Sequence, residues 1–243
     1  MGHLKASTRE RLILALDVES VEEAEGLVDL LGDYVGAFKV GSQLYTAHGP
    51  KVVEVIQGKG GRVFLDLKFH DIPSTVAAAA AEAVKLGVFM FNLHASGGLE
   101  MMRKAIEAAK KAAGRAKREK PLVVAVTVLT SLDEVALGEE LGVGRPLRDH
   151  VIHLAKMAHG AGLDGVVASP QEIEDIRAAC GQEFLIVTPG VRPEWATLGD
   201  QKRVMTPGEA IAAGADYIVV GRPILQAPDP VEAARRILKE MAL

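Results

Sequence analysis

One cysteine, Cys180, occurs in 243 residues, so no intramolecular disulfide and no multi-thiolate metal site can form, and a reducing compartment fits. Aromatic residues make up 4% of the chain and the formal net charge is -4. The stacking surface and the positive field that nucleic-acid binding needs are therefore both missing. The long basic stretch Lys104 to Lys120 interleaves its cations with alanine and glutamate, which predicts a solvated helix face rather than a phosphate track. No apolar run reaches membrane-spanning length, and the first apolar run is too short for a signal-peptide core and contains Asp17. There is no G-x-S-x-G elbow, no P-loop and no G-x-G-x-x-G fingerprint, so nucleotide hydrolysis and hydride transfer lack their usual equipment. These absences predict a soluble, cytoplasmic protein that binds neither nucleic acid nor membrane.

What is present is a chain 49% hydrophobic and 25% charged, enough to bury a large core. Eight short apolar or β-branched runs alternate with amphipathic segments: 12–18, 37–41, 62–69, 90–95, 122–129, 165–169, 184–188 and 217–221. Helical patterns lie between them, for example at 21–31, 51–58, 99–113, 147–160 and 231–241. Gly87, Gly162 and Gly214 stand where left-handed helix caps belong. Eight βα units in a chain of this length predict a single (β/α)8 TIM barrel, one α/β domain over residues 1–243. Met1 to Lys5 are expected to form a poorly ordered terminus. Two connections are long, 130–145 after the fifth strand and 189–207 after the seventh. Both follow strand C-terminal ends, where barrels place active sites, and the second is expected to form a mobile lid.

The stretch Gly61 to Val76, GRVFLDLKFHDIPSTV, carries charges that an ordinary core strand would not tolerate. Side chains alternate along a strand, so Phe64, Asp66 and Lys68 share one face while Val63, Leu65 and Leu67 share the other. By the same parity Ile13, Ala15 and Asp17 face into the barrel from the first strand, and Ala37, Lys39 and Gly41 from the second. Asp17, Lys39, Asp66 and Lys68 are thus expected side by side at the C-terminal mouth, with Asp71 just beyond. A lone Asp-x-Lys reads as a structural ion pair. Four charges at strand ends need mutual pairing or a charged ligand, because burying each unpaired costs about several kcal/mol. Catalysis is the reading favoured for that position in a barrel.

A second group follows the last two strands: Pro189, Gly190 and Arg192, then Gly221 and Arg222 just before a helical start. Glycine lets backbone N–H groups approach an anion, and arginine adds bidentate bonds, so a phosphate site is expected there. His70 and His94 could be read with Asp66 and Asp71 as metal ligands. No ligand spacing supports this, and orienting or packing roles are favoured, with no metal.

The segments LALDV at 14–18, FLDLKFHDIPSTV at 64–76, NLHASGG at 92–98, VTVLTSL at 126–132, VTPGVRP at 187–193 and DQKRVMTPGEAIAAGADYIVVGRPI at 200–224 together resemble the orotidine 5′-phosphate decarboxylases of the bacterial type. Ser74 stands where many members carry asparagine. The resemblance implies cofactor-free removal of CO₂ from orotidine 5′-monophosphate in pyrimidine synthesis. It assigns proton donation to Lys68 and a place against the departing carboxylate to Asp66, with Lys39 and Asp17 on the ribose. Thr130 and Ser131 would lie at the pyrimidine, and Gly190, Arg192, Gln201, Gly221 and Arg222 at the phosphate. It further implies a homodimer in which Asp71 and Thr75 serve the neighbouring site. The rival readings are a magnesium-dependent sugar-phosphate decarboxylase with the same Asp-x-Lys-x-x-Asp strand, a Schiff-base aldolase using Lys39 or Lys68, and a phosphometabolite-binding protein without chemistry.

Overall fold

The computed structural model describes residues 7–196 and 205–242. The expected disorder of Met1 to Lys5 and residues 197–204 of the expected lid, with Gln201, lie outside the described residues. Eight parallel strands close in sequence order into a barrel: β1 Leu12–Ala15, β2 Ala37–Gly41, β3 Val63–Phe69, β4 Met90–His94, β5 Leu122–Val126, β6 Gly165–Val167, β7 Leu185–Pro189 and β8 Tyr217–Val220. The helices are α1 Val21–Leu31, α2 Ser42–His48, α3 Lys51–Gly58, α4 Pro73–Lys85, α5 Gly98–Ala116, α6 Leu147–Ala161, α7 Ile173–Cys180, α8 Pro207–Ala213, α9 Arg222–Leu225 and α10 Pro230–Met241.

The strand parity read from the sequence holds. Ile13, Ala15, Ala37, Phe64, Met90, Val124, Val187 and Val219 form one buried cluster inside the barrel. Their neighbours Leu12, Leu14, Phe38, Val40, Val63 and Leu65 belong to the larger cluster shared with the helices. Each fully buried aliphatic side chain contributes about 1.5–3 kcal/mol, so a one-residue slip that turned both layers over would not fold. Helix ends follow local chemistry. Ser20 accepts from the Glu23 N–H at the start of α1, Asp229 from Val231 and Glu232 at the start of α10, and Pro73 occupies the first turn of α4. Gly87, Gly162 and Gly214 have φ of 73°, 85° and 113°, as helix-terminal glycines should.

Three strands are shorter than expected by two or more residues, β6 ending at Val167 rather than Ser169. β1 stops at Ala15, although the Leu16 N–H still donates to Lys39 O, and β5 stops at Val126 rather than Leu129. Thr127 gives both its N–H and its Oγ1–H to Val167 O at 3.1 Å, and the chain turns away after it. The long connection that follows is not structureless. It carries one π-helical turn, Ala136–Glu140, closed by a hydrogen bond from Leu141 N–H to Ala136 O.

At the N-terminal end of the barrel lies an open cavity of about 1060 Å³ lined by Arg11, Arg62, Arg118, Lys120 and Arg177 among others. Each of these cations already donates to a backbone carbonyl: Asp216, Gly36, Lys85, Pro121 and Gly214, respectively. This face is therefore a stabilising floor, since cations there complement the carbonyl ends of the helices.

Candidate active site

At the opposite mouth the charges stand in the expected alternating row. Asp17 Oδ1 is 3.4 Å from Lys39 Nζ, Lys39 Nζ is 3.4 Å from Asp66 Oδ2, and Asp66 Oδ1 accepts from Lys68 Nζ at 2.7 Å. The inner members Lys39 and Asp66 have side chains only 13% and 12% exposed, whereas Lys68 is 34% and Asp17 57% exposed. The row therefore runs from solvent into the barrel and out again. Its buried carboxylate accepts from Lys68 at Oδ1 and faces the Lys39 ammonium at Oδ2, so the buried charge is paired.

Lys68 reaches this position through an irregularity that simple alternation does not contain. Leu65 pairs with Phe91 and Phe69 with Leu93, so three residues of β3, Asp66, Leu67 and Lys68, oppose Asn92 alone. Lys68 adopts φ of 53°, one of two positive-φ non-glycine residues among those described. That conformation costs about 1–2 kcal/mol for an L side chain and persists only where the surroundings enforce it. The enforcement is visible. Asn92, 1% exposed, accepts the Lys68 N–H at its Oδ1, 2.8 Å away, and donates from Nδ2 to Asp66 Oδ1 at 2.6 Å. Sequence reasoning missed Asn92, although its parity with Met90 and His94 was the signal that could have found it.

His94, the next inward position on β4, sits 5.3 Å from the His70 ring, centroid to centroid. Burial first, then the nearby His70 and Lys68, hold the His94 imidazole below its ordinary range, so the ring is neutral at pH 7 and suits packing and orientation. Among the described residues no group of three or more His, Cys, Asp or Glu is arranged to hold a metal ion. Burial raises the Cys180 thiol, which keeps it protonated and unreactive.

Other predicted residues are placed separately from the row. Asp71 and Thr75 are exposed at the start of α4, and the Asp71 carboxylate accepts the N–H of Ile72, itself 65% exposed. Thr130 and Ser131 are exposed on a turn. Thr130 does not end the fifth strand, as expected, but lies four residues past Val126. At the ends of β7 and β8, Gly190 has φ of 80°, open to glycine and strained for other residues. A Cβ on Gly221 would meet Asp17 Oδ2 at 3.2 Å and the Ala15 Cβ at 3.3 Å, so this glycine allows the β8 end to close against the charge row. Arg222 is exposed at that end, whereas Arg192 is 8% exposed at the base of the long connection. That base is closed by a bridge between Val191 and Met205 and by the Arg192 N–H to Met205 O bond at 3.0 Å.

The family model described as "Orotidine 5'-phosphate decarboxylase / HUMPS family" matches residues 10–237. A relative from Syntrophomonas wolfei named orotidine 5′-phosphate decarboxylase is 58% identical over 234 residues, 96% of this chain and 98% of the relative. Another of that name, from Syntrophotalea carbinolica, is 58% identical over 96% of each chain. The crystal structure of orotidine 5′-phosphate decarboxylase from Lactobacillus acidophilus superposes with a TM-score of 0.85 at 38% identity, covering 96% of this chain and 99% of that one.

Proposed function

The chain belongs to the orotidine 5′-phosphate decarboxylase / HUMPS family, and from that premise we propose that it converts orotidine 5′-monophosphate to uridine 5′-monophosphate in pyrimidine biosynthesis. The observation that carries the reading is the Asp17–Lys39–Asp66–Lys68 row at the barrel mouth, in a chain whose 58%-identical relatives bear that name. The bond from C6 to the carboxylate breaks, CO₂ leaves, and the electron pair stays on C6 as a vinyl-type carbanion. Lys68 Nζ supplies the proton that quenches it, and the neutral amine then regains a proton from solvent. A fixed ammonium beside the developing negative charge stabilises the transition state more than the ground state, which is what accelerates a reaction. Asp66 lies against the departing carboxylate, and Lys39 and Asp17 hold the ribose and keep the row aligned.

Thr130 and Ser131 lie at the pyrimidine, while Gly190, Arg192, Gln201, Gly221 and Arg222, with Pro189, surround the phosphate. No cofactor or metal takes part in this reading, and the protein acts in the cytoplasm as one TIM-barrel domain over residues 1–243. The experiment follows orotidine 5′-monophosphate by absorbance in EDTA. Loss of substrate with uridine 5′-monophosphate appearing is expected, and a silent protein that still binds the nucleotide would sink the reading. Activity that needs magnesium and a sugar phosphate would instead favour the metal-dependent relatives.

The functional unit is a homodimer, with Asp71 and Thr75 of one subunit completing the site of the other. Their exposure beside the exposed Ile72 in the single chain supports this, since an apolar side chain next to functional polar groups suits a subunit contact. Mixing tests it. Lys68→Ala and Asp71→Ala subunits, each inactive alone, should regain about a quarter of wild-type activity after random reassociation, because half the dimers are mixed and each has one intact site. Absence of any regain would place Asp71 in its own subunit's site.

A further inference from the structure

We infer that Asn92 is a positioning residue of this site: its side-chain amide fixes the Asp66 carboxylate and the left-handed backbone of Lys68 at once. The inference rests on the decarboxylase reading for its kinetic readout, but its structural basis is independent of the substrate. Asn92 stands alone opposite the three bulged residues Asp66, Leu67 and Lys68, where the ladder offers no backbone acceptor in regular register for the Lys68 N–H. Its Oδ1 takes that N–H at 2.8 Å, and its Nδ2 donates at 2.6 Å to the same Asp66 oxygen that accepts Lys68 Nζ at 2.7 Å. The amide orientation follows from the partners, because a backbone N–H only donates and a carboxylate only accepts. A single side chain thus sets both the main-chain angle from which the Lys68 ammonium projects and the direction of the carboxylate it pairs with.

The groups around the contact limit what else could do this. Lys39 on β2 approaches the other Asp66 oxygen, Lys68 lies on β3 and His94 is the next inward residue on β4, with His70 against it. Asp17 meets the pair only through Lys39, and the register partner of Asn92 on β5 is the apolar Val124. Among these groups it is Asn92 that bonds both Asp66 and the Lys68 N–H.

The test uses Asn92→Ala and the isosteric Asn92→Asp in the full chain. Asn92→Ala is expected to lower kcat about 100-fold with KM changed less than about threefold, the signature of misplaced reacting groups rather than lost binding. In Asn92→Asp two carboxyls meet at the contact, and like charges so close retain a shared proton. While that proton is present one carboxyl can donate to the other as the amide did. As pH rises and it leaves, repulsion displaces Asp66. The ratio of Asn92→Asp to wild-type kcat/KM should therefore fall at least about tenfold between about pH 5.5 and 8.5. A structural role alone would lower the melting temperature without this pH-dependent ratio.

Wild-type kcat/KM in Asn92→Ala, or a flat ratio for Asn92→Asp, overturns the inference, and the second decides if the alanine variant fails to fold. Should wild-type protein prove inactive on the nucleotide, the decarboxylase reading fails while this one is read without turnover. Carboxyl-carbon NMR of Asn92→Asp would then reveal a coupled carboxyl titration absent from wild type, and its absence would count against Asn92.

Discussion

Lys68→Ala is expected to lower kcat/KM for orotidine 5′-monophosphate by about 10⁴-fold or more, while the affinity for uridine 5′-monophosphate stays within about tenfold of wild type. The size follows from two losses at one atom. General acid catalysis by a positioned group contributes about 10² to 10⁴, and removal of a fixed charge facing the developing anion costs about 10² to 10³. The lower ends of the two ranges multiply to about 10⁴, equivalent to about 5 kcal/mol of transition-state stabilisation. The other ammonium cannot substitute. Lys39 Nζ lies between Asp17 and Asp66, 3.4 Å from each, and is held there by both.

Lys68→Arg should not rescue, because a guanidinium keeps its charge but does not release its proton in this pH range. Single-turnover absorbance measurements on both variants settle the matter. More than about 1% of wild-type kcat in Lys68→Ala would assign the proton to another group and leave Lys68 as a charge partner of Asp66.

The parts of this site that depend on one strand at a time were legible in the sequence. Alternation along three strands placed Asp17, Lys39, Asp66 and Lys68 in order, and the ion-pair distances reproduce that order. Barrel closure was legible too, because eight apolar runs separated by helical patterns leave few other ways to bury both faces of a parallel sheet. What was hidden depends on pairing between strands. The bulge exists because Leu65 and Phe69 find partners only two residues apart on β4, and no property of β3 alone announces it.

The left-handed Lys68 was hidden for the same reason, since lysine has no preference for that region and the Asn92 contact that holds its N–H comes from another strand. Thr130 was misplaced because β-branched residues continue through Thr127 and Val128 after the ladder has ended. Asp71 was placed just beyond the row by the strand reading, whereas a role across a dimer for Asp71 and Thr75 rests on resemblance alone.

Arg222→Ala is expected to lower kcat/KM by about 10² to 10⁴, with kcat falling as well as KM rising. Loss of a charge-assisted bidentate contact alone accounts for about 1.5–3 kcal/mol, roughly 10- to 100-fold. The remainder comes from geometry. Gly221, next to Arg222, packs so closely on Asp17 that an added Cβ would lie 3.2 Å from the carboxylate, so the phosphate end and the charge row share one wall. The connection after β7 also leaves and returns at one stapled point, the Val191–Met205 bridge beside Arg192. In the proposed reaction a phosphate held there would tie the charge row to the Val191–Met205 staple, which converts binding energy from a non-reacting group into catalysis.

Arg192 is the weaker candidate for the same effect, because it is buried at the staple whereas Arg222 is exposed at the mouth. The discriminating substrate is orotidine, which has no phosphate. If Arg222 acts through that group, wild type and Arg222→Ala should process orotidine with equal, low kcat/KM, and the variant's penalty should appear only with the nucleotide. An equal penalty on both substrates would mean that Arg222 supports the barrel mouth itself, and the phosphate would then have to be held by the buried Arg192 and the glycine-lined turns.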